Sequence, residues 1–89
     1  MSEVKKKMRA KVCVGSAIPY ESPQGKMLVL KLFGVAKNDG YPADGSDENN
    51  SFARWSPSIS VDMLIANPAL VDAFEPGDTF YIDFIPAPK

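Results

Sequence analysis

The chain contains few residues that could carry out catalytic chemistry. Its 89 residues include one cysteine and no histidine, which excludes an intramolecular disulfide, a histidine general base and most zinc sites. Cys13 lies between Val12 and Val14, with no histidine to activate its thiol. Asp62 and Asp83 fall on polar strand faces and would form a carboxylate pair for acid–base work only if their strands were neighbours. We therefore expect no enzyme activity, no catalytic residues and no cofactor.

Phosphate and metal sites are not supported by the residue spacing. Gly34, Gly40 and Gly45 lack the spacing of a phosphate-binding loop and its Lys-Ser/Thr pair. Residues 38–50, NDGYPADGSDENN, are rich in Asp and Asn, but they do not follow the alternate-position pattern of an EF-hand. We interpret this run as a flexible, solvated acidic loop without a metal site. The alternative is a loop that contacts a partner.

Aromatic and basic residues suggest two kinds of binding. Phe52, Arg54 and Trp55 follow the acidic loop, and this composition is typical of interface hot spots, so we predict these three as partner-binding residues. The alternative is that Trp55 closes one end of the core. A single-stranded nucleic acid is the other partner considered, because aromatic rings stack on bases and basic side chains contact phosphates. Its candidate contacts are Phe33, Phe52, Trp55 and Tyr81 for stacking, and residues 5–11, Lys31 and Arg54 for phosphate.

Charge is unevenly distributed along the chain, although the net charge is only −1. Residues 3–11 hold five basic residues and one acidic residue. Residues 39–48 hold four acidic residues and residues 62–83 hold five, and neither run contains a basic residue. Such asymmetry favours oriented association, including head-to-tail contact between copies. It differs from the overall basic balance that is typical of nucleic-acid-binding proteins.

The first half of the chain predicts two strands joined by a turn. Eight prolines and six glycines favour turns and short strands over long helices. Residues 5–17 alternate between apolar and polar side chains, as a half-buried antiparallel strand does. Pro23 and Gly25 predict a turn, and residues 26–37 predict a second strand that is apolar on both faces. Such a strand is either covered on two sides or carries an interface on its second side.

The second half predicts a strand, a short helix, a tight turn and a last strand. Residues 56–66 alternate most clearly between apolar and polar side chains. Asn67 fits the N-cap of a helix and Pro68 its first position, where a missing N–H costs nothing. That helix must end before the Pro-Gly pair at residues 76–77, which fits a type II turn. Residues 79–85 predict the last strand.

Together these elements predict one mainly β domain over residues 1–89, a small antiparallel β-barrel or sandwich with one short helix before the last strand. A chain of this length buries only about 60% of its unfolded surface. We therefore expect it to gain stability by oligomerisation or by docking to a partner. No apolar run approaches the roughly 18 residues of a membrane span, and none follows the basic N-terminus, so we expect neither a membrane partner nor secretion.

The second half also matches a recurrent pattern, Ser-Phe-x-Lys/Arg-Trp-x-Pro, then Asn-Pro, then Phe-x-Pro-Gly-x-x-Phe-Tyr-x-Asp-Phe-x-Pro. The matching residues are Ser51, Phe52, Arg54, Trp55, Ser56, Pro57, Asn67, Pro68, Phe74, Pro76, Gly77, Phe80, Tyr81, Asp83, Phe84 and Pro86. With this pattern, residues 51–86 resemble a class of small uncharacterised proteins of tailed bacteriophages. The first half resembles them only in being basic and strand-like.

The resemblance implies a non-catalytic structural protein of the virion, such as a head-decorating, connector or tail component. Its partners would be further copies of itself or other phage proteins, and it would be found in the virion or the host cytoplasm. Two alternatives stay open. One is a single-stranded nucleic-acid-binding module of the OB type, because the order strand, strand, strand, helix, strand is that of the front of an OB-fold. The other is an accessory protein that inhibits or sequesters a host factor.

Overall fold

Four β-strands and one short 3₁₀ turn make up the regular structure. The computed structural model describes residues 8–38 and 40–89, so the predicted start of the first strand at residues 5–7 lies outside the described residues. The strands are β1 (Met8–Ser22), β2 (Gly25–Gly34), β3 (Ser60–Ile65) and β4 (Thr79–Phe84). The 3₁₀ turn, Pro68–Leu70, lies between β3 and β4.

All four strands belong to one antiparallel sheet with the order β3-β2-β1-β4. The prediction of a mainly β, antiparallel fold is therefore confirmed. β3 and β4 form the two outer edges, so the sheet of the described residues is open and closure into a barrel is not shown. The molecule measures 51 × 39 × 15 Å. Because packed sheets lie about 10 Å apart, a thickness of 15 Å fits one sheet with a thin cover.

β1 is the longest strand and pairs with both β4 and β2. Its register with β2 shifts between Val14 and Ser16, which makes Gly15 the extra residue of a β-bulge. A side chain on Gly15 would overlap the ring of Phe33, so glycine leaves the room that this ring needs. After the bulge the alternation continues with the opposite parity, and Ala17 points to the same face as Val14.

The hairpin between β1 and β2 forms where the sequence predicts a turn. Ser22 pairs with Gly25, which adopts a φ of 123°. β1 extends beyond its predicted end at residue 17 and includes Pro19. Among the described strands β4 pairs only with the first half of β1, so Pro19 lies where β1 is paired on one side. A strand tolerates a missing N–H at such a position.

The predicted helix start is confirmed, but the helix is a single 3₁₀ turn. The side chain of Asn67 accepts a hydrogen bond of 3.0 Å from the N–H of Ala69, and Pro68 occupies the start of the turn. The segment before Pro76 is too short for α-helix propagation to repay nucleation, and the chain turns toward the sheet instead.

The turn before β4 also follows the sequence. The N–H of Asp78 donates to the carbonyl of Glu75 at 3.0 Å, and Gly77 has a φ of 95°. This geometry fits a type II turn with Pro76 and Gly77 at its centre. Gly77 also donates to the carbonyl of Val14 at 2.9 Å, which fixes the turn to β1.

One face of the sheet, here called the covered face, carries the core. Its buried apolar side chains, together with one from the segment above them, are Ala10, Val12, Val14, Leu28, Leu30, Leu32, Ile65 and Val71. Val71 and Phe74 pack on this face from the segment between β3 and β4, and Ile59 packs against the core beside Gly34, in line with β3. The cover is thin over β4: Phe74 packs edge to face against Phe80 at 5.3 Å between ring centroids, yet Phe80 and Phe84, which were expected in the core, stay 37% and 50% exposed.

Candidate functional site

The second face of the sheet is a large surface that the fold leaves uncovered, and we call it the open face. Strand register places the following side chains on it: Arg9, Lys11, Cys13, Ile18, Tyr20, Met27, Val29, Lys31, Phe33, Asp62, Leu64, Tyr81 and Asp83. No other strand or helical turn of the described chain packs across its centre. The sequence predicted that β2 is either covered on both sides or carries an interface, and no described element supplies the second cover.

The end of the open face nearest the β1–β2 hairpin is an apolar patch, which consists of Ile18, Tyr20, Met27, Val29 and Leu64. Ile18 pairs with Val29 and Val29 pairs with Leu64, so these three form one row across three adjacent strands. Ile18 is 56% exposed and Leu64 is 57% exposed. Single exposed apolar residues are normal on a protein surface, but a contiguous group marks an interaction site.

Two ion pairs lie on the same face as the patch. Arg9 donates to both carboxylate oxygens of Asp83, at 2.6 and 3.0 Å, and the ammonium group of Lys31 lies 3.3 Å from Asp62. The hydrogen bond to Asp83 raises the pKa of the Arg9 guanidinium, which also lies 4.4 Å from the centre of the Tyr81 ring. Because each carboxylate offsets a basic group beside it, the open face carries little net charge.

The residues considered for catalysis are kept apart. Asp62 and Asp83 lie on β3 and β4, at opposite edges of the sheet, so these strands do not pair and the carboxylates do not meet. Cys13 is a half-buried free thiol whose sulfur lies 3.7 Å from the carbonyl oxygen of Val14. Within residues 8–38 and 40–89, no group of three or more His, Cys, Asp or Glu side chains is placed to hold a metal.

The loop of residues 42–56 is built around two buried polar side chains, Asp47 and Asn50, which are 3% and 0% exposed. The Asn50 side-chain oxygen accepts a hydrogen bond from the N–H of Lys11 at 2.8 Å. Its amide group donates to the carbonyl of Val35 at 2.8 Å and to Asp47 at 3.1 Å. Asn50 thus bonds to β1 and to the chain after β2 as a strand residue would.

This anchor was not predicted from the sequence. Most side chains of residues 38–50 are exposed, as expected of an acidic loop, but Asp47 and Asn50 are not. Asp47 accepts hydrogen bonds from the N–H groups of Asn49 and Asn50, at 2.9 and 3.2 Å. Such Asx turns depend on a carboxylate two or three residues before the donor. The spacing of Asp47 and Asn50 was the available signal, although composition alone does not show which Asx residues are buried.

Two exposed carboxyl groups of this loop, those of Asp44 and Glu48, have lowered pKa values. Hydrogen bonds from Ser46 lower the pKa of Asp44, with a smaller contribution from the charge of Arg54. A hydrogen bond from its own backbone lowers the pKa of Glu48, followed by the effect of Lys37, whose ammonium lies 3.1 Å from the carboxylate. Both shifts extend the pH range in which these two carboxylates are ionised further to the acid side.

The three predicted partner-binding residues lie in this loop. Trp55 is 52% exposed, so it does not close the core, and its N–H donates to the carbonyl of Gly45 at 2.8 Å. Arg54 is exposed and donates to the carbonyl of Asp44 at 2.5 Å, whereas Phe52 is half-buried. The structure therefore presents Arg54 and Trp55 on the surface and leaves Phe52 partly inside the loop.

Trp55 adopts an unusual backbone conformation. Its φ of 61° is the one positive value among non-glycine residues of the described chain. The left-handed region costs an L-residue about 1–2 kcal/mol, and such strain is found where surrounding structure or function requires it. Here the strained backbone holds an indole ring on the surface, which keeps Trp55 as a candidate contact for a partner.

Replacing Gly45 by alanine is expected to displace the Trp55 ring. A methyl group on Gly45 would overlap the indole, and Gly45 has a φ of 75°. Gly40→Ala is the matched control, because Gly40 has a φ of 83° and nothing within 4 Å of an added methyl. We expect Gly45→Ala to shift tryptophan emission and to lose at least about 1 kcal/mol more unfolding free energy than Gly40→Ala. Unchanged emission with equal losses would contradict the contact.

The residues considered for nucleic-acid binding divide between the two surfaces. Phe33 and Tyr81 lie on the open face together with Lys11 and Lys31. Phe52 and Trp55 lie in the loop, and residues 5–7 are outside the described part of the chain. The structure therefore groups two of the four aromatic candidates with basic side chains.

Comparison with models of known protein families, with curated proteins and with solved structures finds no match to this chain. No helix within the described residues is long and apolar enough to cross a membrane.

Proposed function

We propose that this chain is a non-catalytic protein–protein interaction module that serves as a structural component of a tailed-bacteriophage particle. The role would be that of a head-decorating, connector or tail protein, in the virion or during assembly in the host cytoplasm. The observation that carries the interaction role is the apolar patch of the open face, with Ile18 and Leu64 more than half exposed. The resemblance of residues 51–86 to small phage proteins supplies the biological context.

The energetics of the patch support a protein partner. Burying apolar surface contributes about 25 cal/mol per Å², so removing several half-exposed side chains from water stabilises a complex by a few kcal/mol. A partner sheet on the open face would also complete the β-sandwich that the sequence predicts. Phe52, Arg54 and Trp55 are proposed as additional contacts, since Arg54 and Trp55 are exposed on the loop that bonds to Arg9 and Lys11 at the other end of the sheet.

A single-stranded nucleic acid is the second candidate partner. It is favoured by the position of Phe33 and Tyr81 on one face with Lys11 and Lys31. The acidic residues of the same face weigh against it, because Asp62 lies 3.3 Å from the ammonium of Lys31. A phosphate backbone would have to compete with that carboxylate, and affinity for nucleic acid depends on free basic groups.

Quantitative mass spectrometry of purified particles tests the structural role. We expect the chain in fixed stoichiometry with the major particle proteins, and retained after washing in high salt because the contact is apolar. Absence from particles, with the protein abundant in infected cells, would contradict the virion role and favour an accessory protein that acts on a host factor.

A binding titration with labelled single-stranded oligonucleotides separates the two kinds of partner. We expect no salt-sensitive binding at micromolar protein concentration. Binding that is lost in Phe33→Ala but kept in Phe84→Ala would overturn the protein-interaction role. These two phenylalanines are matched, since each is 50% exposed and they lie on opposite faces of the sheet.

A further inference from the structure

We propose that the partner of the open face is a second copy of this chain, so that two sheets pack face to face about a twofold axis. This inference rests on the proposed interaction role of the open face and names its partner. The resulting dimer would be a two-layer β-sandwich in which each chain supplies one complete sheet.

The size of the open face fits a stable dimer. The four strands hold 37 residues, and each residue occupies about 3.3 × 4.8 Å of the sheet, which gives a face of roughly 600 Å². Two such faces bury about 1,200 Å², the lower end of the range for specific, stable interfaces. This area is that of a flat surface, and the side chains that protrude from it increase the accessible area that is buried.

The shape of the open face suits a second sheet better than a helix or a loop. Ile18, Val29 and Leu64 form a row across three neighbouring strands, and Tyr20 pairs with Met27 in the next row of the hairpin. Rows of this kind interdigitate with their own copies when two sheets pack at about 10 Å and about −30°. The 15 Å thickness of one chain would then double to that of an ordinary two-layer domain.

Charge also favours a second copy over a partner of opposite charge. A twofold interface places a surface against itself, so a face with one sign of charge would repel its copy. On the open face Arg9 is paired with Asp83 and Lys31 with Asp62, which leaves little net charge for a charged partner to recognise.

The covered face is a poorer place for a second sheet. Of its exposed apolar side chains, Met63, Phe80 and Phe84 lie on the outer strands and Met8 lies at the start of β1. Val71 and Phe74 stand over the centre between them, so a flat sheet would not reach both sides at once. On the open face the loop side chain of Asn49 reaches the Tyr81 hydroxyl, but this contact lies at the end of the sheet away from the apolar patch.

Sedimentation equilibrium of the full chain tests the proposal, with Leu64→Asp and Met63→Asp as a matched pair. The two residues are neighbours in β3 with 57% and 48% exposure, and they lie on the open face and the covered face. We expect the wild-type chain to have about twice the monomer mass of 9.7 kDa in solution. Met63→Asp is expected to have the same mass as wild type. Leu64→Asp should raise the dissociation constant at least about 100-fold, because it would place a charge in the apolar row of the interface.

A second open-face variant keeps the test decisive if Leu64→Asp does not fold. Ile18→Lys changes a side chain that is 56% exposed, and circular dichroism checks its fold. We expect it to be a folded monomer. A wild-type chain that is monomeric at 100 micromolar, or a larger species that neither variant dissociates, would overturn the twofold dimer. Incorporation into particles by a monomeric wild type would leave the proposed interaction role standing.

Discussion

Replacing Asn50 by leucine is expected to lower the free energy of unfolding by about 3 kcal/mol, because each buried polar group left without its partner costs about 1–3 kcal/mol. Leucine has nearly the shape of asparagine, so the change removes hydrogen bonds without opening a large cavity. The N–H of Lys11, the carbonyl of Val35 and one oxygen of Asp47 would each lose a partner. Urea denaturation followed by circular dichroism measures the loss.

Asn49→Leu is the control for this prediction. Asn49 is the neighbouring residue, and its side chain accepts a hydrogen bond of 3.0 Å from the Tyr81 hydroxyl at an exposed position. Water replaces an exposed partner, so we expect a loss below about 1 kcal/mol. Equal losses in the two variants would show that Asn50 is not the anchor of the loop.

Replacing Leu30 by alanine is expected to destabilise the chain by about 3 kcal/mol, through lost apolar burial and the cavity left behind. Leu30 is 1% exposed on β2, in the centre of the covered face. In so small a domain this loss is a large part of the total stability, so the urea midpoint should fall steeply. A loss below about 1 kcal/mol would mean that the cover collapses into the vacated space.

Leu64→Ala removes the same atoms from an exposed position and is the matched control. At protein concentrations low enough for the chain to be monomeric, we expect a change within about 0.5 kcal/mol. At higher concentration the same variant should unfold earlier than wild type, because dimerisation stabilises the folded chain by mass action. If the stability difference between Leu64→Ala and wild type did not depend on protein concentration, the result would contradict assembly through the open face.

The strands could be predicted because alternation has a direct physical cause. Successive side chains of a strand point to opposite faces, so the pattern around Val12 and around Val61 identifies both the strand and its inner face. Asn67, Pro68 and Gly77 were likewise predictable, since capping and positive φ each restrict the residue type. These features depend on a few neighbouring residues.

The arrangement of the sheet could not be predicted in the same way. Alternation does not say whether β3 closes onto β4, and this pairing decides between a barrel and an open sheet. It also decides whether Asp62 and Asp83 meet. The sequence did not predict that Leu64 is exposed. The alternation in β3 assigns one face of the strand to the core, but it does not show that Leu64 on the other face stays uncovered.

The candidate site likewise has features that depend on neighbouring residues and features that depend on distant ones. Arg54 and Trp55 are predicted as partner contacts from composition, because aromatic and arginine side chains beside a polar loop are typical of interfaces. The structure adds that both side chains are exposed. The buried Asn50 bonds to residues as distant as Lys11, and the N–H of Trp55 bonds to Gly45, ten residues before it. No local pattern encodes these contacts or the positive φ of Trp55. The apolar patch could not be predicted without the register of three strands, because residues from β1, β2 and β3 form it.

The two edge strands have a consequence for how the protein avoids uncontrolled aggregation. β3 and β4 each have six residues, and each has prolines within three residues of both ends: Pro57, Pro68, Pro76 and Pro86. Proline supplies no N–H for pairing, so a foreign strand could align over only about 20 Å of either edge. Growth by edge-to-edge addition into fibrils is thereby discouraged. A twofold contact through the open face would saturate at two chains, so it would not propagate into a fibril either.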